Sequence, residues 1–249
     1  MNENKLLIPR IDDLFRLCDK YACARFSPFL DGGEIAEKED SYVMPYGCNV
    51  MWFGGADNCE RKILGVFPEW EEPSKQDFPI KIIRFEGGFS RELSHRDYLG
   101  TIMSLGIERN KTGDIIVNGK TAYVFAYDDI ADYISSGIRK IGNQGVKSEV
   151  LEVSDIVVPE PMLAEMNAVC ASERLDAVVG AAAGVSRSNA AALIRGGKVK
   201  LNHRETADVS KSVKNEDLIS IRGFGRYIFR ETGAQTRKGR VHIKLYKYI

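Results

Sequence analysis

The sequence predicts an α+β, multidomain protein, with a ferredoxin-like βαββαβ domain in the middle and a C-terminal module of two helices and a small sheet. Three observations lead there. From Phe78 to Glu160 the apolar pattern alternates between strand and helix periodicity in the order β-α-β-β-α-β. Two short glycine-bounded helical segments precede KVKLN, which alternates strictly. Net charge is zero over 249 residues, yet Arg174–Ile249 carries 16 Lys+Arg against 6 Asp+Glu, a net of +10, leaving −10 on the remainder. That asymmetry is the compositional sign of a basic binding module attached to an acidic body.

Residues 1–77 form the predicted N-terminal α/β domain. IDDLFRLCDKYACARF places Ile11, Leu14, Phe15 and Cys18 on one helical face. SPFLDGGEIAEKED reads as a turn and a short helix. SYVMPYGCNVMWFGG and RKILGVFP read as strands, and the acidic, proline-punctuated EWEEPSKQDFP reads as a linker.

Residues 78–160 form the plait, the architecture also used by the RRM family. FPIKIIRFEG is its first strand. HRDYLGTIMSLGI is a helix offering Tyr98, Leu99, Ile102, Met103 and Leu105 for burial, with Gly106 at its C-terminus. GDIIVNGKTAYVFAYDD is a hairpin turning at Asn118-Gly119. DDIADYISSGI is a helix capped by Asp128 or Asp129, and VKSEVLEVSDIVV closes as a strand. In TAYVFAY, Ala122, Val124 and Ala126 share one face, suited to close helix packing. Tyr123, Phe125 and Tyr127 share the other. These rings stack nucleobases on an open sheet face, or are core, or make a contact with the first domain; the RNP1 string of an RRM is absent. Arg96, Arg109, Lys111, Tyr123 and Phe125 are thus candidates for a second RNA contact. Arg96 and Asp97 have the alternative of a structural ion pair.

Residues 161–172, helix-like in PMLAEMNAVCAS, are expected to be a connector. The C-terminal module, 173–249, begins with the helix ERLDAVVGAAAG, with Leu175, Val178, Val179 and Ala182 on one side and Gly184 ending it. Ser186 sits where an N-cap belongs, opening RSNAAALIR. Ala190, Leu193 and Ile194 face the first helix, and Arg187 and Arg195 point to solvent. In KVKLN, Lys198, Lys200 and Asn202 face away from Val199 and Leu201. KNEDLISIRG supplies another strand, and the tail reads as a hairpin with a basic tip at Arg237-Lys238-Gly239-Arg240.

The function classes narrow by elimination. No run of about 18 apolar residues argues for a membrane span, and the acidic N-terminus does not read as a signal peptide. Five scattered cysteines without a CxxC pair, and three histidines, argue against a metal site or disulfide framework; no cofactor is expected, and cytoplasmic thiols are. The HIGH and KMSKS strings of a synthetase and the Walker loop are missing. His95-Arg96-Asp97 imitates a kinase string, but Ile102 stands where a metal-binding asparagine belongs.

The C-terminal module resembles the S-four RNA-binding domain. The matching residues are Arg174-Leu175-Asp176, Ser186-Arg187, Ala190, Leu193-Ile194, Gly197, Val199, Asn202, Asp217, Ile219 and Arg222-Gly223. It departs at His203, where a glycine is usual after the asparagine, and at Glu216, where a flexible residue is usual. The candidate RNA-binding residues are Arg174, Ser186, Arg187, Asn189, Arg195, Lys198, Lys200, Asn202, Arg204, Arg237, Lys238 and Arg240. Arg174 has the alternative of pairing with Asp176 to brace the fold. A compact basic surface of this kind reads RNA shape and backbone.

GGADNCERK (54–62), DFPI (77–80) and above all LSHRDYLGTIMSLGIERNKTGDIIV (93–117) make the chain similar to the YlmH family of bacterial S-four-domain proteins. That resemblance implies a non-enzymatic protein acting on obstructed large ribosomal subunits in ribosome-associated quality control. It implies ribosomal RNA as partner, with tRNA as a further candidate, and a link to a cell-division gene cluster. The alternatives are an RNA-modifying enzyme of the pseudouridine-synthase kind and a cell-division interaction adaptor.

Overall fold

A computed structural model describes residues 7–41, 47–87, 93–155, 157, 159, 163–235 and 240–248. The chain divides into two compact units, Met1–Glu160 and Pro161–Ile249.

The first unit contains, in order, α1 (Leu7–Tyr21), β1 (Arg25–Phe26), α2 (Gly32–Ser41), β2 (Cys48–Phe53), β3 (Ile63–Pro68), β4 (Ile80–Glu86), α3 (His95–Ser104), β5 (Thr112–Asn118), β6 (Thr121–Tyr127), α4 (Asp128–Gly137), β7 (Lys140–Ile141), β8 (Gln144–Gly145) and β9 (Lys147–Glu152). The plait is present. Its antiparallel sheet has the order β5-β6-β4-β9, with α3 and α4 as its crossovers. Ala122, Val124 and Ala126 lie with Tyr98, Ile102, Ala131 and Ile134 in a core beneath the helices, as their small size suits. The hairpin differs in detail. Asn118 still pairs with Thr121, so the two-residue loop is Gly119-Lys120, and Gly119 supplies the positive φ of 58°. The residue before α4 is Tyr127, and Asp128 and Asp129 occupy its first turn.

A second sheet, order β1-β3-β2, covers the other face of the plait. β3 is buried along its whole length. Leu64 and Val66 pack with Ile11, Phe15 and Cys18 of α1. Ile63 and Phe67 pack with Phe53, Phe78, Ile80, Ile82 and Phe125. The unit is therefore layered helix, sheet, sheet, helices, and residues 1–77 share a core with the plait. Gly55 sits at φ +100°, and a Cβ there would lie 2.3 Å from the Phe125 ring. Only glycine allows the backbone that close.

The second unit contains β10 (Leu163–Cys170), α5 (Leu175–Ala183), α6 (Arg187–Arg195), β11 (Val199–Leu201), β12 (Arg204–Glu205), β13 (Leu218–Ile221), β14 (Gly225–Gln235) and β15 (Val241–Tyr248). Its sheet order is β10-β15-β14-β13-β11-β12. Leu175, Val178, Val179, Ala182, Ala190 and Ile194 of the helices pack on Val199, Leu201, Ile219, Ile221, Tyr227, Phe229, Ile243 and Leu245 of the strands. Gly184 ends α5 at φ +65°, as a left-handed cap requires. The Ser186 hydroxyl then accepts from the Asn189 amide at 3.2 Å and opens α6. The two helix axes differ by 108°.

The expected helix-like connector is a strand. Leu163–Cys170 pairs antiparallel with Val241–Tyr248 along its full length. Ala164, Met166, Ala168 and Cys170 face inward, while Leu163, Glu165, Asn167 and Val169 are exposed. Alanine, methionine and glutamate favour helix locally, but the period of two and the partner strand decide the outcome.

Candidate nucleic-acid interface

The basic residues of the second unit fall into three groups, set by where each element ends. The first surrounds Asp176, in the opening turn of α5. Its carboxylate, 7% exposed, accepts from Arg187 Nη2 at 2.7 Å and from Arg174 Nε at 3.3 Å. Burial pushes the Asp176 carboxyl up, but the two guanidiniums outweigh it and hold the group below the usual carboxylate range. The bracing role of Arg174 is thus realised, and Arg187, placed toward solvent from the sequence, is an ion-pair partner as well. Its side chain remains 52% exposed, so the outer edge of its guanidinium still faces water. A guanidinium has five donors, and one bond to Asp176 leaves the rest for an outer ligand.

The second group follows α6. Arg195 ends the helix, Gly196 and Gly197 break it, and Lys198 precedes β11. Lys200 lies at the middle of β11, exposed between buried Val199 and Leu201, as the alternation predicts. Among the described residues, no ion pair engages Arg195, Lys198 or Lys200. Arg187 and Arg195 sit at opposite ends of α6, about 12 Å apart along its axis at the usual rise per residue.

The third group lies at the far end of β11. Arg204 is exposed on β12. Asn202, expected to meet RNA, is a structural clamp. Its side-chain amide donates to Asp217 Oδ1 at 2.7 Å, and its side-chain oxygen accepts from the Leu218 amide at 2.9 Å. Asp217 also accepts from the Lys214 amide. In the turn between β11 and β12, Asn202 and His203 take φ values of 49° and 66°, both in the left-handed region, where a glycine would carry less strain than His203. Glu216 likewise stands at φ 68° and pairs with Arg230 at 2.7 Å. Ser186 is committed as the α6 cap, and Asn189 is exposed in its first turn. Arg240 is exposed before β15, and Arg237 and Lys238 lie outside the described residues.

Of the five candidates for a second contact, Phe125, Tyr123, Arg109 and Lys111 are engaged within the first unit, and Arg96 is exposed. Phe125 is fully buried between the two sheets, and Tyr123 packs half-buried against the same core. Neighbouring Tyr127 donates its hydroxyl to the Ser27 carbonyl. The aromatic face is core, not an open platform, because the N-terminal sheet occupies it. Arg109 Nη1 donates to Thr112 O at 2.6 Å, Thr112 Oγ1 at 2.8 Å and Gly113 O at 3.0 Å. Burial, helped by Arg61, pushes its pKa down to about 10. Lys111 pairs with Asp129 at 2.8 Å and lies 4.7 Å from the Tyr127 ring centroid. Arg96 is exposed, and Asp97 is engaged in the capping box of α3, accepting from the Ser94 amide and hydroxyl.

Sequence reasoning missed what the string 93–117 does with residues 54–62. Asp114, on β5, accepts from the Glu60 and Arg61 amides. Arg61 donates to Thr112 O at 3.2 Å and to Phe29 O at 3.0 Å. Burial pushes the Asp114 carboxyl up, opposed by the Arg61 amide and by the Arg61 and Arg109 charges. The two stretches most specific in the sequence are thus one polar staple holding the N-terminal loop on the plait. All five cysteines are free, and Cys59 beside this staple is buried, which pushes its thiol well above the usual range.

The profile of a putative RNA-binding domain in YlmH matches residues 73–155, and that of the S4 domain, the S-four domain above, matches residues 173–219. Ribosome-associated protein quality control protein P2 of Bacillus subtilis (strain 168) is 32% identical over 187 residues, which are 74% of this chain and 72% of that relative. The solved structure of cell division protein ylmH from Streptococcus pneumoniae superposes with a TM-score of 0.52 at 22% identity, covering 64% of this chain and 96% of that one, a likeness of fold.

Proposed function

The chain belongs to the YlmH family of S4-domain proteins, and on that premise we propose that it is a non-enzymatic, cytoplasmic RNA-binding factor of the ribosome. It binds RNA of the large subunit, ribosomal RNA and tRNA being the candidates, in ribosome-associated quality control. The observation that carries the reading is the row Arg195, Lys198 and Lys200, exposed from the end of α6 to the middle of β11 and without an ion pair among the described residues. A carboxylate partner would neutralise such a row; a phosphate backbone supplies what it lacks. Arg187 and Arg204 extend the row at either end, and the printed name of the Bacillus relative supports the ribosomal setting.

In-cell crosslinking of the full chain, mapped to nucleotides, tests the proposal. Crosslinks concentrated in large-subunit RNA or tRNA are the expected result. Recovery of protein partners alone would overturn it in favour of an interaction adaptor.

A further inference from the structure

A loop just past residues 173–219, where the S4 profile ends, carries more than the phosphate row. β13 and β14 are joined by Arg222-Gly223-Phe224, closed by the Ile221–Gly225 pair. Gly223 at φ +89° and Gly225 at φ +120° take conformations that side chains resist, so the phenylalanine is bracketed by the two residues that allow the turn. Every polar backbone group of Phe224 is held. Its amide donates to Ile221 O at 3.0 Å, and its carbonyl accepts from the Tyr227 hydroxyl at 3.0 Å. Tyr227 is itself 2% exposed, so the anchor is part of the core. Phe224 as a residue, by contrast, is 36% exposed, and a Cβ on Gly223 would meet nothing within 4 Å. The tip is rigid, apolar and open.

Its surroundings are cationic. The Arg222 amide donates to the Lys198 carbonyl at 2.8 Å, which sets the loop beside the turn carrying Arg195 and Lys198. Arg226, two residues beyond Phe224 in the chain, lays its guanidinium 4.8 Å from the Tyr248 ring centroid. An exposed aromatic residue on a hydrogen-bonded turn, flanked in sequence by Arg222 and Arg226 and joined through the backbone to Lys198, matches one ligand chemistry closely: a nucleobase presenting its π-face with phosphate on either side. Paired bases in a duplex keep their faces covered, so the match is to an unpaired base.

We propose that Phe224 is a stacking platform for an unpaired base of the bound RNA, and that Lys198 and Arg222 take the phosphates flanking that base. The proposal rests on the RNA-binding reading above and deepens it. The surface then distinguishes a loop or bulge beside a helix from an uninterrupted helix, which the phosphate row alone does not do.

The test uses the full chain with two probes, an RNA stem-loop carrying 2-aminopurine in its loop and a blunt-ended RNA duplex of the same stem. Wild type is expected to favour the stem-loop by about tenfold, as one stacked base provides, and to change the 2-aminopurine emission on binding. Phe224→Leu should lose both the preference and the emission change, while duplex affinity and its salt dependence stay put. Phe224→Trp should retain both. Equal wild-type affinity for the two probes overturns the platform, and so does a Phe224→Leu variant that keeps its preference or loses duplex binding in equal measure. Wild type that binds neither probe in a salt-dependent way overturns the RNA-binding reading, and the platform falls with it.

Discussion

Reversing Arg187 and reversing the pair Lys198 and Lys200 should have different consequences, although all three residues are basic, exposed and close in sequence. Arg187→Glu places a carboxylate near Asp176, which is 7% exposed and loses the 2.7 Å partner that offsets its burial. Two like charges about 4 Å apart repel by about 4 kcal/mol at an effective dielectric of about 20. The half-exposed side chain can swing outward, and Arg174 remains, so about 2–3 kcal/mol of local destabilisation is expected. Amide hydrogen exchange over α5 and α6 of the full chain reads this directly. The expected acceleration is roughly 30- to 150-fold, at about 1.4 kcal/mol per tenfold. Lys198→Glu with Lys200→Glu removes no ion pair among the described residues, so exchange should stay within about 0.5 kcal/mol of wild type. RNA affinity should nevertheless fall, and the slope of log affinity against log salt should flatten by about 1.5, two phosphates' worth. Wild-type exchange in Arg187→Glu would refute the bracing role of the pair. An unchanged salt slope in the double lysine variant would refute the phosphate row.

Three further outcomes follow from the same geometry. Asp176 titrates below its unfolded value, so its contribution to stability is complete above about pH 4 and is lost as pH falls through the folded value; α5 protection, corrected for intrinsic exchange, should drop on acidification in wild type and much less in Asp176→Asn. Gly55→Ala should destabilise the first unit by about 3–5 kcal/mol, from a clash with the Phe125 ring and a strained φ. Trp52 and Trp70, the chain's two tryptophans, both lie in that unit, so a urea midpoint followed by their fluorescence reports it, and an unshifted midpoint would mean the Phe125 face is open after all. A fragment 161–249 should fold and bind RNA, whereas 172–249, stripped of β10, should lose cooperative unfolding by circular dichroism; equal behaviour of the two would make that strand dispensable.

What the sequence disclosed was what is local. Ser186 and Gly184 announce a helix start and a helix end because a cap needs only its neighbours in the chain. The plait was legible for the same reason, its six elements each carrying a clear period. What stayed hidden depended on partners far along the chain. Leu163–Cys170 reads as helix until Val241–Tyr248 is set beside it, although the inward Ala164, Met166, Ala168 and Cys170 already alternate. Tyr123 and Phe125 are correctly placed on one face, but nothing in TAYVFAY says that a second sheet covers it. Lys198 and Lys200 were recognisable from alternation alone, whereas the pairing of Arg187 with Asp176 spans eleven residues and two helices. Asn202 was singled out for RNA, but its side-chain amide serves Asp217 and Leu218, sixteen residues or fewer away yet on another strand's approach. RGFGR carried a readable signal, an aromatic between two glycines and two arginines, which went unused.

The doubly covered strand β3 constrains how the chain can mature. One side of it waits for Phe78, Ile80, Ile82 and Phe125, which emerge from the ribosome only after it does. At about 5–20 residues per second, the interval from Pro68 to the closing strand at Glu152 is on the order of ten seconds. Throughout that time Ile63 and Phe67 have Phe53 and Phe26 beside them but lack every partner from the plait, so that side of the nascent sheet stays uncovered. A chain halted between those points would present to its surroundings an unfinished, sticky sheet.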